Sequence, residues 1–157
     1  MNSETTNYRE RVYTCYQCGI CSGGCPVASI EMGFRPREIV QKTQHGKIPE
    51  LVNSSTIWMC AACYNCYEQC PQNVKVTDVI MELQSEALRE GVAPKKFQKV
   101  MGMVYKNGLT STLVGFVSKQ REKAGLKEPP KVNVDAAQKI MEKTGSVDLL
   151  KSEGDEK

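Results

Sequence analysis

Apolar residues recur at helical spacing through the second half of the chain. Val79, Ile80, Leu83 and Ala87 fall on one face of a segment downstream of Pro71. Thr77 is its predicted N-cap, Val76 and Met81 a hydrophobic staple across that cap, and Gly91 its end. A next helix is predicted from near Pro94, where Phe97, Val100, Met101 and Val104 keep the period until Asn107-Gly108. A further helix is predicted from about Ser111 to Ala124, with Leu113, Val114, Phe116 and Val117 as its apolar set. Gly125, Pro129 and Pro130 then form a linker. Asp135 opens a last short helix that carries Ala137, Ile140 and Met141, with Gln138 as capping-box partner and Gly145 as its end. Lys151 to Lys157 is a charged tail. Upstream, Pro36 suits a first helical position, Ile39 and Val40 supply apolar contacts, and Gly46 after His45 is a stop. Pro49 opens a short turn through Leu51 and Val52, and Ser54 and Ser55 interrupt the pattern before Ile57, Trp58 and Met59. No stretch alternates as a strand does, so the predicted class is all-α.

Two stretches of this helical chain are punctuated by cysteine instead. Cys15-x2-Cys18-x2-Cys21-x3-Cys25-Pro26 returns as Cys60-x2-Cys63-x2-Cys66-x3-Cys70-Pro71, every position displaced by 45 residues, and the two runs use all eight cysteines. This is the bacterial ferredoxin pattern for iron–sulfur clusters. Cysteines spaced three apart sit on a tightly turning backbone, so three sulfurs converge on three irons of a [4Fe–4S] cube. The fourth precedes a proline, which pushes it towards an extended conformation and points its sulfur away from the other three. In two-cluster proteins of this kind the fourth cysteine ligates the other cluster. The expected ligand sets are therefore Cys15, Cys18, Cys21 and Cys70 for cluster 1, and Cys60, Cys63, Cys66 and Cys25 for cluster 2. Gly19, Gly23 and Gly24 lie within the first run, where a cluster imposes sharp turns and close approach.

Other uses of the thiols fit less well. Structural zinc favours separated C-x2-C pairs and four-coordinate sites, not two consecutive steps closed by Cys-Pro. Disulfides suit a secreted chain, whereas Met1 to Thr14 is polar and has no apolar signal core. The expectation is a cytoplasmic, reducing location, which also suits oxygen-sensitive clusters. The formal charge of +3 counts cysteines as neutral. Eight thiolates around two oxidised +2 cores move it by about −4, to roughly −1. Apparent basicity therefore does not indicate nucleic acid, and no Arg/Lys stripe is interleaved with aromatic residues. The apolar stretches are too short to span a membrane. His45, the one histidine, sits at a predicted helix end, where a cation is mildly favoured. Trp58, Tyr16, Tyr64 and Tyr67 flank cysteines and read as shields that tune a cluster without chemistry of their own.

The chain resembles the small two-cluster iron–sulfur component, or C-subunit, of the heterodisulfide reductase of methanogenic archaea. The resemblance rests on the doubled runs, the helical insert Phe34 to Val52, the segment Thr56-Ile57-Trp58-Met59-Cys60, the segment Cys63-Tyr64-Asn65-Cys66-Tyr67-Glu68-Gln69-Cys70-Pro71, and the linker from Gly125-Leu126 to Pro129-Pro130. It implies an alpha-helical ferredoxin fold that binds two [4Fe–4S] clusters. It also implies partners within a larger hydrogenase or formate dehydrogenase assembly: a flavoprotein subunit, and a catalytic subunit that reduces the mixed disulfide of coenzyme M and coenzyme B. In that family the C-subunit relays electrons between these two. This chain has no adjacent Cys-Cys pair, no spare thiol and no Gly-x-Gly-x-x-Gly fingerprint, so disulfide and flavin chemistry belong on other chains. No catalytic residue is expected. The expected division is a two-cluster core over 1–92 and a helical extension with its tail over 93–157, a subunit-contact region. The competing functions are the iron–sulfur subunit of a fumarate reductase or glycerol-3-phosphate dehydrogenase type enzyme, and a free-standing carrier or redox sensor. The first would more often carry a plant-type ferredoxin domain or Cys-Cys-Gly modules, and the second has little use for the extension.

Overall fold

The computed structural model describes residues 7–111, 115–127 and 132–148. Among them every regular element is helical, so the fold is all-α. Packing divides the chain into two units, Met1–Val92 and Ala93–Lys157.

The first unit is built around one amphipathic helix. In chain order it contains α1 (Tyr8–Arg11), a 3-10 turn (Val12–Thr14), α2 (Ile20–Gly23), α3 (Pro36–Gln44), α4 (Ile48–Val52), a second 3-10 turn (Thr56–Met59), α5 (Asn65–Glu68) and α6 (Val76–Arg89). Val79, Ile80, Leu83 and Ala87 are fully buried, as their spacing predicts, and make α6 the post against which α1, α3, α4, α5 and the second 3-10 turn pack. Pro36 opens α3, and Gly46 and Gly91 take left-handed φ just beyond the ends of α3 and α6.

The start of α6 differs from expectation. The chain enters it through Asn73 and Lys75, both at positive φ, and Lys75 rather than Thr77 stands at the N-cap. The helix therefore starts ahead of Thr77, which is carried into its first turn and buried. Val76 is the first, buried residue of the helix and does not precede its cap, so Val76 and Met81 do not hold staple positions, and Met81 accepts a hydrogen bond from the Tyr64 hydroxyl at 3.7 Å. The N-terminal segment is also more structured than its polarity suggests. Tyr8 and Val12 are buried, and Glu86 of α6 receives both the Tyr8 hydroxyl (2.7 Å) and the Arg9 guanidinium (3.0 Å).

The 45-residue repeat of the cysteines is a repeat of the backbone. Gln17 and Ala62 both take left-handed φ, as do Gly19 and Tyr64, and α2 and α5 occupy equivalent positions. Where α2 and α5 meet, a side chain on Gly24 would have to displace two others. A Cβ on Gly24 would lie 2.7 Å from Gln69 Oε1 and 2.8 Å from Asn65 Nδ2, and the Asn65 side chain donates to the Gly24 carbonyl. Gly24→Ala is therefore expected to break that bond and cost about 1 kcal/mol or more. Anaerobic thermal denaturation against wild type checks this, and an unchanged midpoint would show that the two side chains move aside freely.

The second unit contains α7 (Lys95–Asn107), α8 (Gly115–Lys123) and α9 (Val134–Lys143). Gly108 ends α7 in left-handed conformation, as read from Asn107-Gly108. α9 is capped by Asn133, whose side chain accepts from the Ala136 amide, while Gln138 donates to the Tyr105 carbonyl of α7 instead of closing a capping box. Met141 is buried, but Ile140 is 63% exposed. In α8 the predicted apolar face is not covered: Phe116 is 71% exposed and Val117 37%. Ser111 lies in a bend, while Leu113, Val114, Pro129, Pro130 and the tail from Lys151 lie outside the described residues. Among the described residues no helix is long and apolar enough to cross a membrane.

Candidate functional site

Each cysteine run leaves a 3-10 turn in extended conformation at its first cysteine, Cys15 or Cys60, and then coils through left-handed residues into a four-residue helix. That path carries the second cysteine outward and the third inward. Cys18 and Cys63 are exposed, Cys66 is buried and Cys21 half-buried. Cys25 at the end of the first run is buried as well, and none of the eight thiols is in a disulfide.

The fourth cysteine of the first run lies with the second run. Cys25, Cys60, Cys63 and Cys66 line one cavity, open to solvent and walled by Phe34, Pro36, Tyr64 and Ile80. Around the first run, the Tyr16 phenol is pushed above its usual range, first by lost hydration and then by the nearby sulfurs of Cys18, Cys70 and Cys15. The Cys70 sulfur thus acts electrostatically on a tyrosine of the first run.

Electrostatics state what the thiols need. Burial, and then the sulfurs of Cys66 and Cys15, push the Cys21 thiol up to about 11. Burial is also the main cause that raises Cys60 and Cys66. A thiol in such surroundings stays protonated unless a metal takes the place of its proton. A single ion does not fit. Zinc holds sulfur at about 2.3 Å, which gathers its ligands round a point. Among the described residues no group of His, Cys, Asp or Glu is gathered closely enough to grip one ion. Four thiols that line one cavity without closing on a point suit a multi-atom core.

Hydrogen bonds reach several of the sulfurs. Gln17 Nε2 lies 3.6 Å from Cys15 Sγ, the Val74 amide donates to Cys70 Sγ at 3.4 Å, and Thr77 Oγ1 lies 3.2 Å from Cys66 Sγ. Gln44 of α3 clamps the first loop, donating to the carbonyls of Val12 (2.7 Å) and Cys15 (3.0 Å) and accepting from Gln17 (3.0 Å). Gln44, Thr77 and Asn65 have no signature in sequence for these contacts, because each acts on a residue that only the fold brings near. The aromatic residues divide. Tyr64 lines the cavity and packs edge-on against Tyr67, with centroids 5.9 Å apart. Trp58 packs on the hydrophobic core, whereas Tyr16 is 60% exposed. His45 is an exposed C-cap of α3.

Comparison with known proteins bears on the same residues. A 4Fe–4S dicluster domain matches residues 11–74, which contain both runs. The chain is 33% identical over 142 residues to the C-subunit of the H2:CoB–CoM heterodisulfide,ferredoxin reductase of Methanothermobacter marburgensis, covering 87% of this chain and 76% of that one. The chain belongs to the iron–sulfur C-subunit family of heterodisulfide reductase. It is also 36% identical to the iron–sulfur C-subunit of the CoB–CoM heterodisulfide reductase of Methanopyrus kandleri, over 76% of this chain and 62% of the relative. The C-subunit of the ferredoxin/F420H2-dependent CoB–CoM heterodisulfide reductase of Methanosarcina acetivorans is 34% identical, over 74% of this chain and 71% of the relative. As a heterodisulfide reductase C-subunit, the chain is an iron–sulfur electron-transfer component of an oxidoreductase.

Proposed function

We propose that this protein holds two [4Fe–4S] clusters on crossed ligand sets and relays electrons, within a heterodisulfide reductase complex, from a flavoprotein subunit to the catalytic subunit that reduces the coenzyme M–coenzyme B heterodisulfide. Cluster 1 is held by Cys15, Cys18, Cys21 and Cys70, and cluster 2 by Cys60, Cys63, Cys66 and Cys25. The observation that carries the reading is the cavity in which Cys25 joins the three thiols of the other run. When bound, each cluster supplies a one-electron couple. The protein's own residues fix the thiolates in place, and Phe34 and Ile80 keep water from the inner wall. The exposed Cys18 and Cys63 mark the edges at which electrons enter and leave. Relatives are named for hydrogen, formate, ferredoxin and F420H2, so the shared task lies on the heterodisulfide side of the relay, with the donor set by the assembly. The uncovered apolar residues Phe116 and Ile140 suit the second unit to subunit contact. A reducing cytoplasm suits the whole.

Purified anaerobically, the chain should hold about eight irons and about eight sulfides. Alone, with a reduced viologen, it should not reduce the heterodisulfide, since all eight thiols are committed to clusters. Turnover should appear on adding the catalytic subunit of a related heterodisulfide reductase, and flow from the flavoprotein should collapse in Cys18→Ala or Cys63→Ala. Steady disulfide reduction by the isolated chain, or a colourless protein with stoichiometric zinc, would contradict the proposal.

A further inference from the structure

Among the described residues of the first unit, two polar side chains are fully buried, Thr43 and Thr77. A buried hydroxyl without a partner is costly, so each must find one. Thr43 returns its proton to its own helix, at the Ile39 carbonyl, 2.9 Å away. Thr77 turns outward from α6 to the Cys66 sulfur, 3.2 Å away, and helps to line the cavity that Cys66 shares with Cys25, Cys60 and Cys63. A cysteine that holds iron is a thiolate with no proton to give, so the hydroxyl is the donor.

We propose that Thr77, through this O–H···S hydrogen bond, sets the reduction potential of the cluster that Cys66 holds. The inference rests on the ligand set proposed above. A donor on a ligating sulfur withdraws electron density, and it stabilises the reduced, more negative cluster more than the oxidised one. The bond therefore raises the potential. Its burial keeps water from competing for the hydroxyl or screening it.

The effect belongs to one cluster. The repeat that pairs Cys66 with Cys21 pairs Thr77 with Met32, which is 81% exposed and has no hydroxyl. Cys21 is served instead by its neighbour Ser22, whose hydroxyl also accepts from the Arg37 amide at 3.0 Å. Two loops with the same backbone turns thus receive different donors, and the fold reaches this difference by starting α6 ahead of Thr77.

The test is an EPR-monitored redox titration of the anaerobic full-length chain, wild type against Thr77→Val, Thr77→Ala and Thr77→Ser, with iron determined on each sample. The signal lost in Cys63→Ala identifies cluster 2. In Thr77→Val the equilibrium constant for one-electron reduction of that cluster should fall about tenfold, about 59 mV to lower potential. Thr77→Ser should keep the wild-type value, and the other cluster should not move in any variant. Full iron with an unmoved potential in Thr77→Val, or a shift in the other cluster, overturns the inference and leaves the relay reading intact. Loss of cluster 2 from both Thr77→Val and Thr77→Ala assigns the hydroxyl to assembly and also overturns it. A wild-type chain that binds no iron overturns the relay reading and this inference with it.

Discussion

Replacing Cys70 with serine should remove the cluster of Cys15, Cys18 and Cys21 and spare that of Cys60, Cys63 and Cys66, which are nearer in sequence. The basis is the proposed exchange of fourth cysteines: Cys25 lines the second-run cavity, and the Cys70 sulfur, with those of Cys18 and Cys15, acts on the Tyr16 phenol of the first run. Iron should fall from about eight to about four per chain, as one of two [4Fe–4S] clusters is lost. The reduced protein should lose the EPR signal that Cys18→Ala also removes. Cys25→Ser should do the reverse and remove the signal that Cys63→Ala removes. Either variant should also unfold at lower denaturant, because metal binding contributes directly to folding free energy. If Cys70→Ser and Cys63→Ala abolish the same signal, the ligand sets are not crossed.

The second large effect is expected at Phe34, which the sequence marks only as the start of a helical insert. It is 1% exposed, lies in the hydrophobic core and forms a wall of the cavity around Cys25 and Cys66. Phe34→Ala should cost about 3–5 kcal/mol, the usual range for emptying a phenylalanine site in a core. That is a large share of the roughly 5–15 kcal/mol that holds a domain together. It should also admit water to the cavity, so cluster 2 should bleach faster than cluster 1 on exposure to air. Anaerobic denaturant titration with iron analysis reads the first effect, and a time course of the two EPR signals reads the second. A denaturation midpoint equal to wild type would mean that neighbouring side chains refill the space.

These expectations show which features could be read from the sequence. The ends of α3 and α7 follow from Pro36 and Gly108, whose preferences act within a few residues. The buried face of α6 follows from its spacing, which any core-facing helix must obey. The cysteines are legible because iron–sulfur chemistry dictates their spacing whatever surrounds them. Long-range partners are not legible. Thr77 has the composition of an N-cap, but the buried sulfur of Cys66 takes its hydroxyl. Gln138 has the position of a capping-box residue, but the Tyr105 carbonyl competes for its amide. The short α1 has almost no helical signal of its own and is held by Glu86, far along the chain. Phe116 and Val117 have helical spacing but are not covered, since periodicity describes a face and says nothing of what meets it.

The placement of Cys25 beside the second run has a consequence for how the molecule is made. A ribosome delivers Cys15, Cys18, Cys21 and Cys25 well before Cys60. On the crossed ligand sets, the growing chain then offers only three thiols to its first cluster, with Cys25 turned aside for a site not yet synthesised. The first cluster cannot close until Cys70 has emerged, and the second cannot close unless Cys25 is still free. Iron must therefore arrive after both runs have been translated and brought together. On those ligand sets neither cluster is completed before Cys70 has been made, and a chain truncated between the two runs would complete neither centre.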